Sequence, residues 1–405
     1  MIISKNRLLI LDPHKQNPGK RACITMELSK IENKYKKMDS KDILNALDGI
    51  FEFSKETLKH GNFAGTLFRF PLRDIPTDIS DNVYTEEKIQ DLFKAFEEEA
   101  PVELLFLKCL EKIELNLKHT GVVDSGVESE ESQFSVCISE TCVENVREKR
   151  QQFQNHMKKI GTSIPDKTYI NNFVVKMEIT KKDGEKEHTD WLVSHCLKGG
   201  KMSGKIQELM KDKTLSYSPY ASIALPLGLE CAMKGHVFCL MPLPLQEESM
   251  TGFPVHVNGH FALSQNRRHV KWPTADQTRN KTHRDKSIRW NECLVTEVVP
   301  EVYIHILQEL MNMCKRQSNP DIMVAAIYNS IPDNRRVTNH WDGIIIPFFE
   351  RLWQSQFLFT ANGGGKWITV NEAVFNIFEN EVSQGKHTQY ILYFIADINP
   401  LLIFC

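Results

Sequence analysis

The sequence predicts a mixed α+β chain, and three stretches carry that prediction. In NFVVKMEIT, Phe173, Val175, Met177 and Ile179 alternate onto one face, Asp183 and Gly184 supply a turn, and TDWLVSHCL returns. That is the pattern of a β-hairpin. Between Thr85 and Ala100, a capping Thr and first-turn acids precede Ile89, Leu92, Phe93 and Phe96 at helical spacing. An amphipathic helix follows from that periodicity. From Ser287 onward, Tyr303, Ile306, Leu307, Leu310 and Met313 share a helical face, with Pro300 placed in the first turn of a second helix. With 405 residues and 41% hydrophobic content, the chain can bury a large core and is long enough for two or three units.

Taken in order, ILDPHKQNPGKR reads as a short strand closed by Pro and Gly. Asp12 and His14 flank Pro13, and a turn with a capping Asp explains them more simply than an acid and base pair. Gly61 and Gly65 are expected to bracket a loop, followed by a strand through Leu67, Phe68, Arg69, Phe70 and Leu72. Gly65 and Thr66 enter that strand, where a missing side chain admits a ligand close to the backbone and a hydroxyl offers one hydrogen bond. Pro101 is expected to restart the chain, and VELLFLKCLEKIELNLK is buried but open between helix and strand. Residues Gly121 to Gln133 read as a solvated loop. Val143 to Ile160 is helical and ended by Gly161. Elements follow at Ser203 to Lys211 and Ala221 to Leu227, then strand-like runs at Val237 to Met241 and Val255 to Leu263. The last runs straight into Arg267 and Arg268.

Composition excludes several classes. A net charge of -2 gives no global attraction to nucleic acid or anionic lipid. The stretch from Asn266 to Trp290 is locally basic with tryptophans at its ends, but no nucleic-acid module surrounds it. A solvated loop or a face for an acidic protein is the simpler reading. Ten cysteines without any CxxC favour buried free thiols in a reducing compartment over zinc or disulfides. No run is long enough to span a membrane and the start lacks a signal-peptide core, so the expected location is cytoplasmic. His256 and His260, four apart on a strand, are about 13 Å apart and do not share a metal. GGGKW at Gly363 lacks the hydroxyl of a phosphate loop and reads as a turn into a strand.

Three stretches, GTLFRFPLR from Gly65, PVHVNGHFALSQNRR from Pro254 and GGGKW, together with WNE at Trp290, resemble the sacsin repeat family. Each repeat of that family opens with an ATPase module of the GHKL kind. The resemblance implies a truncated GHKL-type sheet at 1–76, a mixed α/β middle domain at 77–290 and a mainly helical region at 291–405. In such modules a Gly-Thr pair closes the ATP pocket, which would make Gly65 and Thr66 a vestigial nucleotide contact. The upstream Asn and Glu helix and the Asp-x-Gly-x-Gly adenine loop have no counterpart here, so the chain is expected to begin inside that domain. ATP and magnesium then belong only to a complete parent domain. By analogy with the ninety-kilodalton heat-shock chaperones, Arg267 or Arg268 could reach a terminal phosphate; alternatively it staples its own loop. The resemblance implies a chaperone or co-chaperone module in protein quality control, a non-catalytic scaffold or client-binding fragment. Its partners would be clients, including cytoskeletal ones, and the seventy-kilodalton heat-shock system. The alternative is an ATPase half-site that needs the missing upstream residues.

Overall fold

In the computed structural model, residues 1–373 are described except 16–18, 35–46, 48, 52, 74, 79, 120–128, 161–162, 213, 229–233, 241–242, 245–246, 280–284, 317–320, 339 and 361–365. The chain is α+β and divides into two units, Met1–Leu92 and Phe93–Cys405.

The first unit is a four-stranded antiparallel sheet in the order β3-β2-β1-β4, made of β1 (Ile2–Lys5), β2 (Arg7–Leu11), β3 (Cys23–Glu27) and β4 (Phe63–Phe68). Ile3, Leu8 and Leu67 turn inward against Leu28 and Ile31 of α1 (Leu28–Lys34) and against Phe53, ahead of α2 (Lys55–His60). The turn at Pro13 and His14 is present, closed by the Lys15 N–H donating to the Asp12 carbonyl at 3.0 Å, while His14 Nδ1 lies 3.2 Å from Asp78. The strand expected from Leu67 to Leu72 instead starts at Phe63 and stops at Phe68, so Gly65 sits inside it and does not bracket a loop. Pairing to Ile2–Lys5 sets those limits: Leu67 faces Ile3 in the ladder and is the buried position of the strand.

The second unit is a seven-stranded sheet in the order β10-β11-β9-β8-β7-β6-β5. Its strands are β5 (Lys112–His119), β6 (Ser129–Ile138), β7 (Tyr169–Lys181), β8 (Lys186–Leu197), β9 (Tyr220–Pro226), β10 (Val237–Phe238) and β11 (His256–Gly259). All neighbours are antiparallel except β10 with β11. The hairpin β7–β8 takes the expected turn, with Gly184 at φ 83. One face of the sheet carries Phe173, Val175, Met177 and Val193, packed on Leu104 and Leu105 of α3 (Glu86–Phe106) and Val146 of α4 (Val143–Ile160). The other carries Leu192, Cys196, Ile223 and Leu225. It is covered by α5 (Gly204–Lys211), α7 (Lys286–Cys293), α8 (Val299–Cys314), α9 (Asp321–Asn329) and α10 (Ile345–Trp353). A short helix, α6 (Ala275–Arg279), lies between α5 and α7 in sequence. Being covered on both sides explains why β9 reads YASIALP, an apolar run without alternation.

Two further expectations need correction. The chain does not restart at Pro101; α3 runs through it, because Ala100, Leu104, Leu105 and Phe106 bury together beyond it. The expected loop up to Gln133 ends earlier, since β6 begins at Ser129 and pairs with β5. Its remainder, 121–128, lies outside the described residues. The segment left open after Pro101 is helix to Phe106 and strand from Lys112. GGGKW delivers the strand β13 (Lys366–Ile368), paired with β12 (Leu358–Thr360), while Gly363 to Gly365 lie outside the described residues. Among the described residues, no helix is long and apolar enough to cross a membrane, and the eight described cysteines are free.

Candidate functional site

Gly65 and Thr66 lie in mid-strand in β4, exposed. The Thr66 hydroxyl is engaged by the Ser4 hydroxyl at 2.8 Å, and a side chain at Gly65 would meet only the Phe63 ring, at 3.4 Å. That is no cradle a nucleotide would fill. Among the described residues, no group of His, Cys, Asp or Glu could hold a metal. Gly65 and Thr66 therefore do not fit a nucleotide, and the described residues gather no ligands for magnesium.

Beyond β4 the chain turns outward. Phe68, Phe70, Leu72 and Ile75 are all exposed, Phe70 at 79%, and the Phe68 and Phe70 rings lie parallel with centroids 6.3 Å apart. Four large apolar side chains within eight residues stand exposed at and beyond the end of an edge strand, since β4 pairs with β1 alone among the described strands.

Arg267 and Arg268 occupy the tip of a turn closed by the Arg267 N–H donating to the Ser264 carbonyl at 2.9 Å. Arg267 has a left-handed backbone, φ 57, and both side chains are exposed. Neither staples its loop by a side-chain hydrogen bond or ion pair among the described residues. Three further cations of the basic stretch are paired within the fold: Lys271 with Asp285, Lys286 with Asp212, and Arg289 with Glu208 at 3.8 Å.

The stretch from Gly235 to Trp272 also builds a site that the sequence did not announce. A cavity of about 160 Å³ opens between α4 and the sheet. At its base, Asn258 Oδ1 accepts the Leu240 N–H at 2.8 Å, so its Nδ2 end donates to Tyr220 Oη at 3.2 Å. Tyr220 Oη lies 2.9 Å from His195 Nδ1, and with the phenol as donor the imidazole proton sits on Nε2. Phe153 of α4 stacks on the His195 ring at 4.8 Å. His260, whose Nδ1 accepts the Ser218 N–H at 3.3 Å, also lines the cavity. Burial holds both rings neutral, His195 down to about 3 with help from Arg150 and Lys108, and His260 down to about 4 with help from Lys108. Leu240 sits at φ 60, a strained backbone that aims its N–H at Asn258.

Arg150 lies along the same cavity, 5% exposed. Its guanidinium donates to the carbonyls of Leu104 and Leu110, and no carboxylate lies within ion-pair distance among the described residues. The nearest acid, Glu111, is gripped by two nitrogens of Arg147, each at 2.8 Å. Burial pulls Arg150 down to about 10, which still leaves it charged at neutral pH. The sequence singles out His260 only as half of a pair too far apart for a metal, and gives no sign of Arg150 or His195. A lone Arg among the helical positions of α4 gives no sign that it is buried.

Compared with known proteins, residues 1–130 match the family described as Sacsin domain. The chain is 32% identical over 402 residues to sacsin of Homo sapiens, an alignment covering 95% of this chain and 8% of that protein.

Proposed function

This chain is a sacsin-related region, and on that premise we propose that it acts as a chaperone or co-chaperone module of cytoplasmic protein quality control, holding client segments without turning over a substrate. It corresponds to a small part of its relative, 8% of the length, so the activity is argued from these residues. The supporting observation is the exposed row of Phe68, Phe70, Leu72 and Ile75 on and beyond the edge strand β4. An extended apolar segment pairs its backbone with such an edge and its side chains with the row. Each large apolar side chain covered in this way contributes about 1.5–3 kcal/mol before ordering costs. The clients are unfolded or partly folded chains, cytoskeletal proteins among them, passed to or from the seventy-kilodalton heat-shock system.

Light scattering of a heat-denatured reporter protein tests this reading. The chain is expected to suppress aggregation, and a Phe68→Ser, Phe70→Ser double variant with an unchanged melting curve is expected to lose most of that protection. Equal protection by the variant would overturn the assignment to this row. A second reading, an ATPase half-site, draws on the left-handed backbone and free exposed side chain of Arg267 beside Arg268. A fluorescent ATP analogue separates the two. No saturable binding to the chain is expected, whereas micromolar saturation lost in an Arg267→Ala, Arg268→Ala variant would put the half-site first.

A further inference from the structure

The cavity beside α4 presents hydrogen-bond donors and cations to whatever enters it. His195 and His260 each have Nδ1 occupied as an acceptor, which leaves Nε2–H as the remaining polar group of each ring. Lys108 and Lys158 stand exposed at the mouth, and among the described residues no carboxylate lines the space. Beneath lies Arg150, a buried charge with no counter-ion among the described residues. A buried cation held only by carbonyls is costly to leave unpaired, so the site favours an anion. Its walls are flat and apolar, formed by Phe106, Phe153 and Leu240. An apolar cavity of roughly 150 Å³ accepts one benzene ring, close to the about 160 Å³ here.

We propose that this cavity is a binding site for a small aromatic carboxylate, one ring in size, with the ring against Phe153 and the carboxylate at the Nε2–H donors of His195 and His260 under the field of Arg150, Lys108 and Lys158. With the phenol of Tyr220 as donor, the chain from Leu240 N–H through Asn258 sets Nε2–H on His195, and the Ser218 N–H sets it on His260. The rings stay uncharged through the neutral range, and the charge that attracts the ligand comes from the lysines and arginine. The ligand is either a free metabolite or the carboxyl-terminal aromatic residue of a peptide; both present the same group.

Ligand-observed NMR titration of the full chain with benzoate, benzamide, inorganic phosphate and N-acetylphenylalanine tests the site. Benzoate is expected to saturate, and benzamide, isosteric but uncharged, to bind about tenfold more weakly or worse. Phosphate, which has the charge without the ring, is expected to be weaker than benzoate. N-acetylphenylalanine binding as well as benzoate assigns the site to a chain terminus; rejection of it with benzoate bound assigns a free ligand. A Lys108→Met, Lys158→Met variant, changed only at exposed positions, should weaken benzoate by roughly threefold while its melting curve stays put. Benzamide equal to benzoate, phosphate equal to benzoate, no saturation by either carboxylate, or unchanged benzoate affinity in the lysine variant would each overturn the proposal.

Discussion

The orientation of one amide decides what the cavity can recognise. Asn258 is fully buried and must match an N–H from Leu240 with its oxygen and Tyr220 Oη with its nitrogen. Replacing it by Asp leaves two acceptor oxygens, kept ionised by nearby Arg150 and Lys108. Tyr220 would then donate to position 258 and accept from His195 Nδ1–H, and the proton at Nε2 would be gone. Nitrogen-15 shifts of His195 should report the Nε2–H form in the parent and the Nδ1–H form in Asn258→Asp, with stability lower by about 1–3 kcal/mol. The same form in both proteins would break the relay. Little of this was legible from sequence. Asn258 and His260 lie in the stretch that stood out, but the cavity draws on separate segments near 106, 150–158, 195, 220, 240 and 258–260, and their convergence leaves no local periodicity. The arginine pair, which the sequence does advertise, lies on an exposed turn outside the cavity lining.

Elements were legible where local pattern and burial agree. The strand β7 and the helix α4 follow their alternation and periodicity, because in each one side is buried in a core and the other is less covered. Pro101 and Pro300 mark where that logic needs the tertiary structure. Pro101 is carried inside α3 by the packing that follows it. Before Pro300, residues Leu294–Val298 open into a wider π turn, with the Val299 N–H reaching back five residues to the Leu294 carbonyl, so one helical run continues from α7 into α8. Close backbone approach is the matching constraint at β10. A Cβ on Gly235 would lie 2.1 Å from the Val255 carbonyl oxygen and 2.6 Å from that of Phe253, whereas one on Gly204, at the start of α5, would meet nothing within 4 Å. Gly235→Ala should therefore destabilise by about 1–3 kcal/mol or more, and Gly204→Ala should stabilise by about 0.5–1 kcal/mol. Urea unfolding of the two variants beside the parent checks the opposite signs.

Across the second unit, a sheet covered on both faces forces histidines into its interior, and acid should act through them. Burial holds His256 down to about 3, with the neighbouring His236 adding to the effect, and His195 and His260 are held to about 3 and about 4. An unfolded chain takes protons on these rings near 6.5, so acidification favours unfolding from there down to the folded values. His236, His305 and His340 are shifted the same way, each mainly by burial. Two carboxyls oppose them, Glu103 and Glu99. Glu103 on α3 is raised to about 7 by burial and then by Glu99, so the folded state holds an extra proton there between its unfolded value and 7. The buried rings outnumber the two carboxyls, so the unfolded chain binds more protons near pH 5 and stability falls as the pH drops. Denaturant midpoints should fall between pH 6.5 and 5, more steeply toward pH 5, and change far less between pH 7.5 and 8.5. A midpoint that held level or rose on acidification would mean that these rings take up protons inside the fold, and the neutral donors assigned to His195 and His260 would go with it.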